Sequence, residues 1–318
     1  MWPFDGDAPA LWLALYLLTL AMHVVLISFV VGGAAHALVA ALRRSPDPIA
    51  ERARDLLPFM LGLGITAGVA PLLFLQLLYQ RQFYSANLLL GPRWGAVVPA
   101  LIAGFYALYF AKATARLRWR RVALAGALAC FLFVAWSWTE MHVLMQDEPG
   151  WAAMYAAGDR LHAQAGVLPR LLLWLGAMAT FYATLSAWWA GAPDRRRLAV
   201  VAIAGRIVSG IAVLLLARAD AAIIGPAHGW AYILVAVLVI ELAGWILVRA
   251  RPDGAALSIV TAASTAALLA GMVVREAPRL AILEPPRTAA LEASGFPVFA
   301  LTALLGVAVI TWIVRAIR

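Results

Sequence analysis

The stretch "LTLAMHVVLISFVVGG", Leu18 to Gly33, lies in a run that carries no Asp, Glu, Lys or Arg between Asp7 and Arg43. A helix needs about 20 apolar residues to cross a hydrocarbon core about 30 Å thick, and this run exceeds that length. It reads as a membrane-spanning helix. His23, a titratable imidazole, is then placed within hydrocarbon, where an ionisable or strongly polar side chain needs a partner or a purpose.

The rest of the chain follows the same pattern. Of its 318 residues, 64% are hydrophobic and only 13% charged, with a mean hydropathy of +0.88, a balance that belongs to polytopic membrane proteins and leaves no room for a soluble domain. Nine apolar runs are expected to span, at about 10–42, 56–79, 95–115, 121–146, 167–190, 198–217, 229–249, 255–275 and 297–316. Polar breaks such as "RRSPDPIAERARD", "GAPDRRR" and "RARPDG" separate them, their Pro, Gly and Asp ending helices and solvating turns. The expected fold is therefore all-α, a polytopic membrane bundle of about nine transmembrane helices forming one domain over residues 1–318. The acidic start "MWPFDGDAPA" leads into a run too long for a cleaved secretory signal, so the first run reads as a retained helix.

A net charge of +9 and a pI near 10.4 would suit a nucleic-acid binder, but the basic residues form short clusters between the apolar runs. Topology accounts for them better. Placing successive loops on alternate sides puts sixteen Lys and Arg residues together, among them Arg43, Arg44, Lys112, Arg120, Arg121 and Arg195 to Arg197, against eight on the other side, with Arg206 inside a span. The positive-inside rule then sets the N-terminus outside and the C-terminus in the cytoplasm, in an inner (cytoplasmic) membrane. The single cysteine, Cys130, excludes a disulfide framework, a thiolate metal cluster and covalent CxxCH haem attachment. Any haem would be held non-covalently.

The ionisable groups that matter most in or beside the apolar runs are His23, His36, Glu140, His142, Arg206, Glu241 and Glu276. His23 suits either a hydrogen-bonded helix contact or an axial bond to haem iron through its imidazole lone pair. His36 is thirteen residues on, about 20 Å along the helix, so one iron cannot take both, and a structural role near the helix end is expected of it. "SWTEMHVLMQDEPGW" brings Glu140, His142 and Met145 to the outer end of the fourth run, as ligands, proton carriers or interfacial side chains. Arg206 and Glu241 sit midway along the sixth and seventh runs and read as a buried ion pair, with ion or proton movement the sharper alternative. "GMVVREAPR" sets Arg275, Glu276 and Arg279 at the end of the eighth run. In "LGLGITAGVAPLLF", Gly62, Gly64, Gly68 and Pro71 predict a kinked helix, either as ordinary tolerance in membranes or as room for a cofactor.

Three of these stretches resemble one known family. "LTLAMHVVLISFVVGGAAHALVAA" is similar to the first helix of cytochrome bd oxidase subunit I, where a histidine is an axial haem ligand. "FVAWSWTEMHVLMQ" resembles that family's fourth helix, and "GMVVREAPR" its glutamate- and arginine-bearing segment, with Glu276 in the place of a haem-ligating glutamate and Arg279 in that of the arginine. The departures are as informative. "PRLLLWLG" lacks the family's low-spin haem histidine, "WAYILVAV" lacks its methionine partner, "WGAVVPALIAGFYALYFAK" lacks its carboxylates, and "ARADAAIIGPAHG" stands where the long quinol loop would be.

The resemblance implies a shortened relative that keeps part of the oxygen-side haem pocket and has lost the quinol side. It implies haem b as cofactor, His23 as iron ligand, Glu276 as a second candidate ligand, and His142 and Arg279 beside them. The expected function is a membrane-integral b-type haem protein, an electron-transfer subunit of a respiratory or redox complex. Its partners would be cytochromes or iron-sulfur subunits, in a homo- or hetero-dimer, with no nucleic acid. The rival readings are a haem-free membrane anchor or scaffold of such a complex, and a transporter built on Arg206 and Glu241. The transporter is disfavoured because the sequence shows neither repeats nor paired broken helices.

Overall fold

The computed structural model describes residues 10–162, 164–219 and 228–282, together with 301, 304 and 305. The chain is an all-α polytopic helix bundle. Eight of the described helical stretches are long and apolar enough to cross a membrane. The ninth expected span, 297–316, lies outside the described residues except at those three positions.

The long helices are α1 (Ala10–Arg43), α2 (Pro48–Leu78), α5 (Val97–Ala113), α6 (Leu117–Leu144), α8 (Val167–Ala187), α9 (Ala192–Ala219), α10 (His228–Ala250) and α11 (Gly254–Ile282). They pack as antiparallel hairpins: α1 with α2, α5 with α6, α8 with α9, and α10 with α11. α1 is the hub, touching α2, α6, α8 and α11. Short helices α3 (Gln80–Leu90), α4 (Pro92–Gly95) and α7 (Trp151–Ala157), with a 3₁₀ turn at Glu148–Gly150, gather at the end of the bundle where α2 and α6 finish. We call this the aromatic end. The opposite end, where α1 finishes and α2 begins, is the arginine-rich end.

Several boundaries differ from the sequence expectation. α2 begins at Pro48, eight residues before the expected 56, because the Asp47 side chain accepts the Ile49 and Ala50 N–H groups at 3.0 and 3.1 Å and proline occupies the first helical position. The helix therefore starts within a charged stretch that read as a polar break. α2 also runs unbroken through Pro58 and Pro71.

The bundle is apolar outside as well as inside, as lipid contact requires. Leu73 is 53% exposed, Leu214 67%, Val239 62% and Ile246 56%, all within the long helices. Such faces gain nothing from burial against one another, so packing and close approach hold the helices together. Small residues make that approach where it is tightest. A side chain on Gly176 would collide with the Gly205 carbonyl and one on Gly205 would meet the Gly176 carbonyl, so α8 and α9 cross in backbone contact, and Thr180 Oγ1 donates to the Ala202 carbonyl at 3.1 Å beside the crossing. Gly64 and Gly68 do the same for α2 against α1. A β-carbon at Gly64 would lie 2.8 Å from Ile27 Cδ1, and one at Gly68 2.8 Å from the His23 ring. The room at Gly68 is taken by that imidazole. Gly62 faces open space.

These glycines make a graded test. Gly176→Leu should lower the thermal unfolding midpoint in detergent by the equivalent of about 1–3 kcal/mol or more, whereas Gly62→Leu should be near neutral. Equal effects at the two sites would overturn the crossing geometry.

Candidate functional site

The densest polar cluster of the described residues is buried at the aromatic end and draws on five helices. α1 supplies Tyr16, the end of α2 supplies Tyr79, α6 His142, α8 Trp174, and the last turns of α11 Arg275, Glu276 and Arg279. Glu276, Arg279, Tyr79 and Tyr16 are all 2% exposed or less.

Glu276 is the centre. Its Oε1 accepts from Tyr79 Oη at 2.6 Å and from Arg279 Nη1 at 3.1 Å, and its Oε2 lies 3.3 Å from the same Arg279 nitrogen and 3.4 Å from Arg275 Nη1. Tyr16 Oη accepts from both arginines at 3.2 Å. The guanidinium of Arg275 lies over the Trp174 ring at 5.8 Å and that of Arg279 over Tyr79 at 5.2 Å. Arg275 Nη2 is 3.3 Å from His142 Nδ1. An arginine can only donate, so Nδ1 accepts and the imidazole proton sits on Nε2. Among the described residues the cluster holds two guanidinium groups and one carboxylate; the Tyr16 hydroxyl and aromatic faces meet part of the surplus, and Arg279 Nε is buried without an acceptor.

His23 lies elsewhere. It is seven residues beyond Tyr16 on α1, about 10 Å further into the bundle by helical rise. Its Nδ1 is 2.8 Å from the Gly64 carbonyl oxygen on α2. A carbonyl only accepts, so Nδ1 carries the proton and the lone pair is on Nε2. Of the residues read as cofactor-binding, Glu276, Arg279 and His142 come together through Arg275, and His23 stands apart.

A second buried network lies in the middle of the bundle. Arg206 on α9 grips Glu241 on α10 with two parallel bonds, Nε to Oε2 at 2.6 Å and Nη2 to Oε1 at 3.0 Å. Ser264 of α11 also donates to Glu241 Oε1, and Thr184 of α8 is 3.2 Å from Ser264. The carboxylate is fully buried, so four helices are tied to one charge pair.

At the arginine-rich end His36 has both nitrogens engaged, Nδ1 with Tyr182 Oη at 2.7 Å and Nε2 with Asp47 Oδ2 at 3.1 Å. Burial alone would raise the Asp47 carboxyl, but the Ala50 N–H, His36 and Arg197 hold it below its usual value. At the aromatic end Glu140, also fully buried, pairs with Arg93 and accepts the His162 N–H. Burial holds the His162 imidazole below its usual value against the pull of Asp147 and Glu140.

The sequence reading did not single out Tyr16, Tyr79, Arg93, His162, Ser264 or Thr184. One signal was present. Arg275 and Arg279 lie on one helix face with a single carboxylate, so the surplus donors require neutral acceptors, and hydroxyls on neighbouring helices meet that need.

No family model matches the sequence, and no curated protein matches it. No group of three or more His, Cys, Asp or Glu residues placed to hold a metal ion occurs among the described residues.

The fit to a haem group is therefore judged ligand by ligand. Glu276 accepts from Tyr79 and Arg279, and His142 has its available lone pair turned to Arg275. Both are engaged by the chain's own donors. His23 keeps an unprotonated Nε2, because the Gly64 carbonyl fixes the tautomer.

Two outcomes follow. Arg206→Leu or Glu241→Leu should each destabilise the protein by about 3–5 kcal/mol, while the double change should recover much of the loss. Strict additivity in a detergent unfolding cycle would show that the two residues are not coupled. His162 has a folded value below its ordinary 6.5, so its contribution to stability is complete above that pH and is lost as pH falls through the folded value. Between about pH 7.5 and pH 5 the wild type should lose more stability than His162→Gln. An equal loss would show that His162 does not titrate in this way.

Proposed function

We propose that this chain is a membrane-integral electron-transfer subunit of a respiratory or redox complex, binding one b-type haem through His23. The observation that carries the reading is the hydrogen bond from His23 Nδ1 to the Gly64 carbonyl, which orients the ring and leaves Nε2 as a basic ligand in an apolar part of the bundle. A bound haem would supply one-electron redox chemistry. The chain's residues would do the rest. Gly68 admits the ring edge between α1 and α2, and Gly64 sets the tautomer. The surplus positive charge of Arg275 and Arg279, about 10 Å along the bundle, favours the more negative, reduced state of a group held at His23. Loop charges favour a cytoplasmic arginine-rich end in an inner membrane, which faces the aromatic end toward outer redox partners, either cytochromes or iron-sulfur proteins.

One observation favours a second reading, a haem-free anchor or scaffold of such a complex. The Glu276 carboxylate is matched by the chain's own Tyr79, Arg275 and Arg279, as in a purely structural centre, although the buried Arg279 Nε has no acceptor.

The visible spectrum of the purified protein separates the two. On the first reading a Soret band is present, disappears or shifts in His23→Ala, and persists in His36→Ala, Glu276→Gln and His142→Ala. A haem-free preparation that retains native assembly would overturn it in favour of the scaffold.

A further inference from the structure

The arginine-rich end holds a pocket that meets the networks above only at Asp47. It has a volume of about 280 Å³ and lies between the end of α1, the start of α2 and the start of α6. Ala37, Ala40, Ala41, Ala50 and Leu117 form its apolar part, Arg44 and Arg120 its basic part; Asp47, Glu51 and Arg54, the last paired with Asp55, also line it. We propose that this pocket binds the phosphate oxyanion of an anionic phospholipid headgroup.

Four observations converge on an anion. Two helices begin at the pocket, and each presents the positive end of its dipole. α2 is capped by Asp47, but α6 starts after Arg116 with no side-chain cap, so its first N–H groups have no side-chain acceptor there. Arg120 Nε is a buried donor without an acceptor, although Nη2 of the same side chain reaches the Thr114 carbonyl at 3.1 Å.

The local acids are largely occupied. Asp47 is committed to its cap, to His36 and to Arg197, and Asp55 to Arg54, which leaves Glu51 in the lining. Over residues 43–55 and 112–121 the chain carries nine basic side chains against three acidic ones. The rim also keeps Arg44 in a left-handed backbone conformation, φ 53°, at a helix end where glycine is the unstrained choice. Retaining an arginine at that cost is consistent with use of its side chain.

The neighbouring surface points to a lipid rather than a free ion. Leu42 is 57% exposed, Val39 42% and Val122 56%, so apolar faces fit for acyl chains run into the bilayer from the pocket's edge. Arg121 donates twice to the Ala41 carbonyl, at 2.9 and 2.7 Å, and pins α6 to α1. The floor of the pocket is thus held in place before any ligand arrives. A basic pocket between transmembrane helices at the interface is the physical setting in which anionic headgroups are recognised.

The test uses the full-length protein in a mild nonionic detergent. Its thermal unfolding is followed while it is titrated with short-chain phosphatidylglycerol, with phosphatidylcholine of the same chain length, and with inorganic phosphate. Phosphatidylglycerol should raise the midpoint and the other two should not. Arg44→Gln combined with Arg120→Gln should weaken the apparent affinity by about tenfold or more. Ser45→Trp, at an exposed lining position, should block the response with every charge in place, and it does not depend on the arginine variants folding. If inorganic phosphate reproduces the shift and the variants abolish it, the oxyanion site stands and the lipid source is overturned. An equal response to the two lipids, or an unchanged response in both variants, would overturn the site.

Discussion

Hydrocarbon solvates neither a charge nor a hydrogen-bonding group, and this constraint governs where polar side chains occur in the bundle and how they are matched. Arg206 and Glu241 meet with two parallel bonds because either one alone would be a stranded ion. Glu276 draws two arginines and a tyrosine, and the arginines in turn draw Tyr16, Trp174 and the Tyr79 ring. The exceptions are single atoms, some neutral, such as Trp245 Nε1 and Ser137 Oγ, and some on charged groups with another nitrogen paired, such as Arg120 Nε and Arg279 Nε. A neutral group left unpaired costs about 1–3 kcal/mol, far less than an isolated charge.

The same constraint changes how the helices adhere. With lipid as apolar as the core, area burial offers no preference between a neighbour and the bilayer, so shape and close approach decide. α8 and α9 meet through Gly176 and Gly205, and α2 approaches α1 through Gly64 and Gly68. The second of these contacts also builds a site. By admitting His23 and offering the Gly64 carbonyl, the glycine face of α2 turns a polar liability into an oriented imidazole with one lone pair to spare. Packing and candidate chemistry at His23 therefore rest on the same two glycines.

The two ends of the bundle handle charge differently. At the aromatic end Glu140 meets Arg93 and His162, and in the deeper cluster the Glu276 carboxylate is matched by Tyr79 and two arginines. At the arginine-rich end His36, Tyr182 and Asp47 form a closed relay, while the neighbouring arginines outnumber the acids. An excess of cations at a membrane interface is tolerated because water and lipid phosphate are both within reach, which is not so in the middle of the bundle.

Much of the architecture was legible in the sequence, because an apolar run long enough to span a bilayer has no other stable environment. The runs, their breaks and the all-α class follow from that. The early start of α2 was not legible, since it depends on the Asp47 cap in a stretch whose charges resemble a loop. Single ionisable residues in apolar runs, such as His23, Arg206, Glu241 and Glu276, identify themselves by their cost. Their partners do not. Tyr16 and Tyr79 are ordinary membrane aromatics until α1, α2 and α11 converge, and Ser264 is one hydroxyl among many until α11 turns it toward Glu241. Sequence position determines how deep a side chain lies along its own helix. Which helix it faces is set by rotation and crossing, and those depend on glycines, caps and neighbouring helices far away in the chain. That is why the separation of His23 from the Glu276 cluster, and the tautomer that leaves its Nε2 free, were decided only by the tertiary structure.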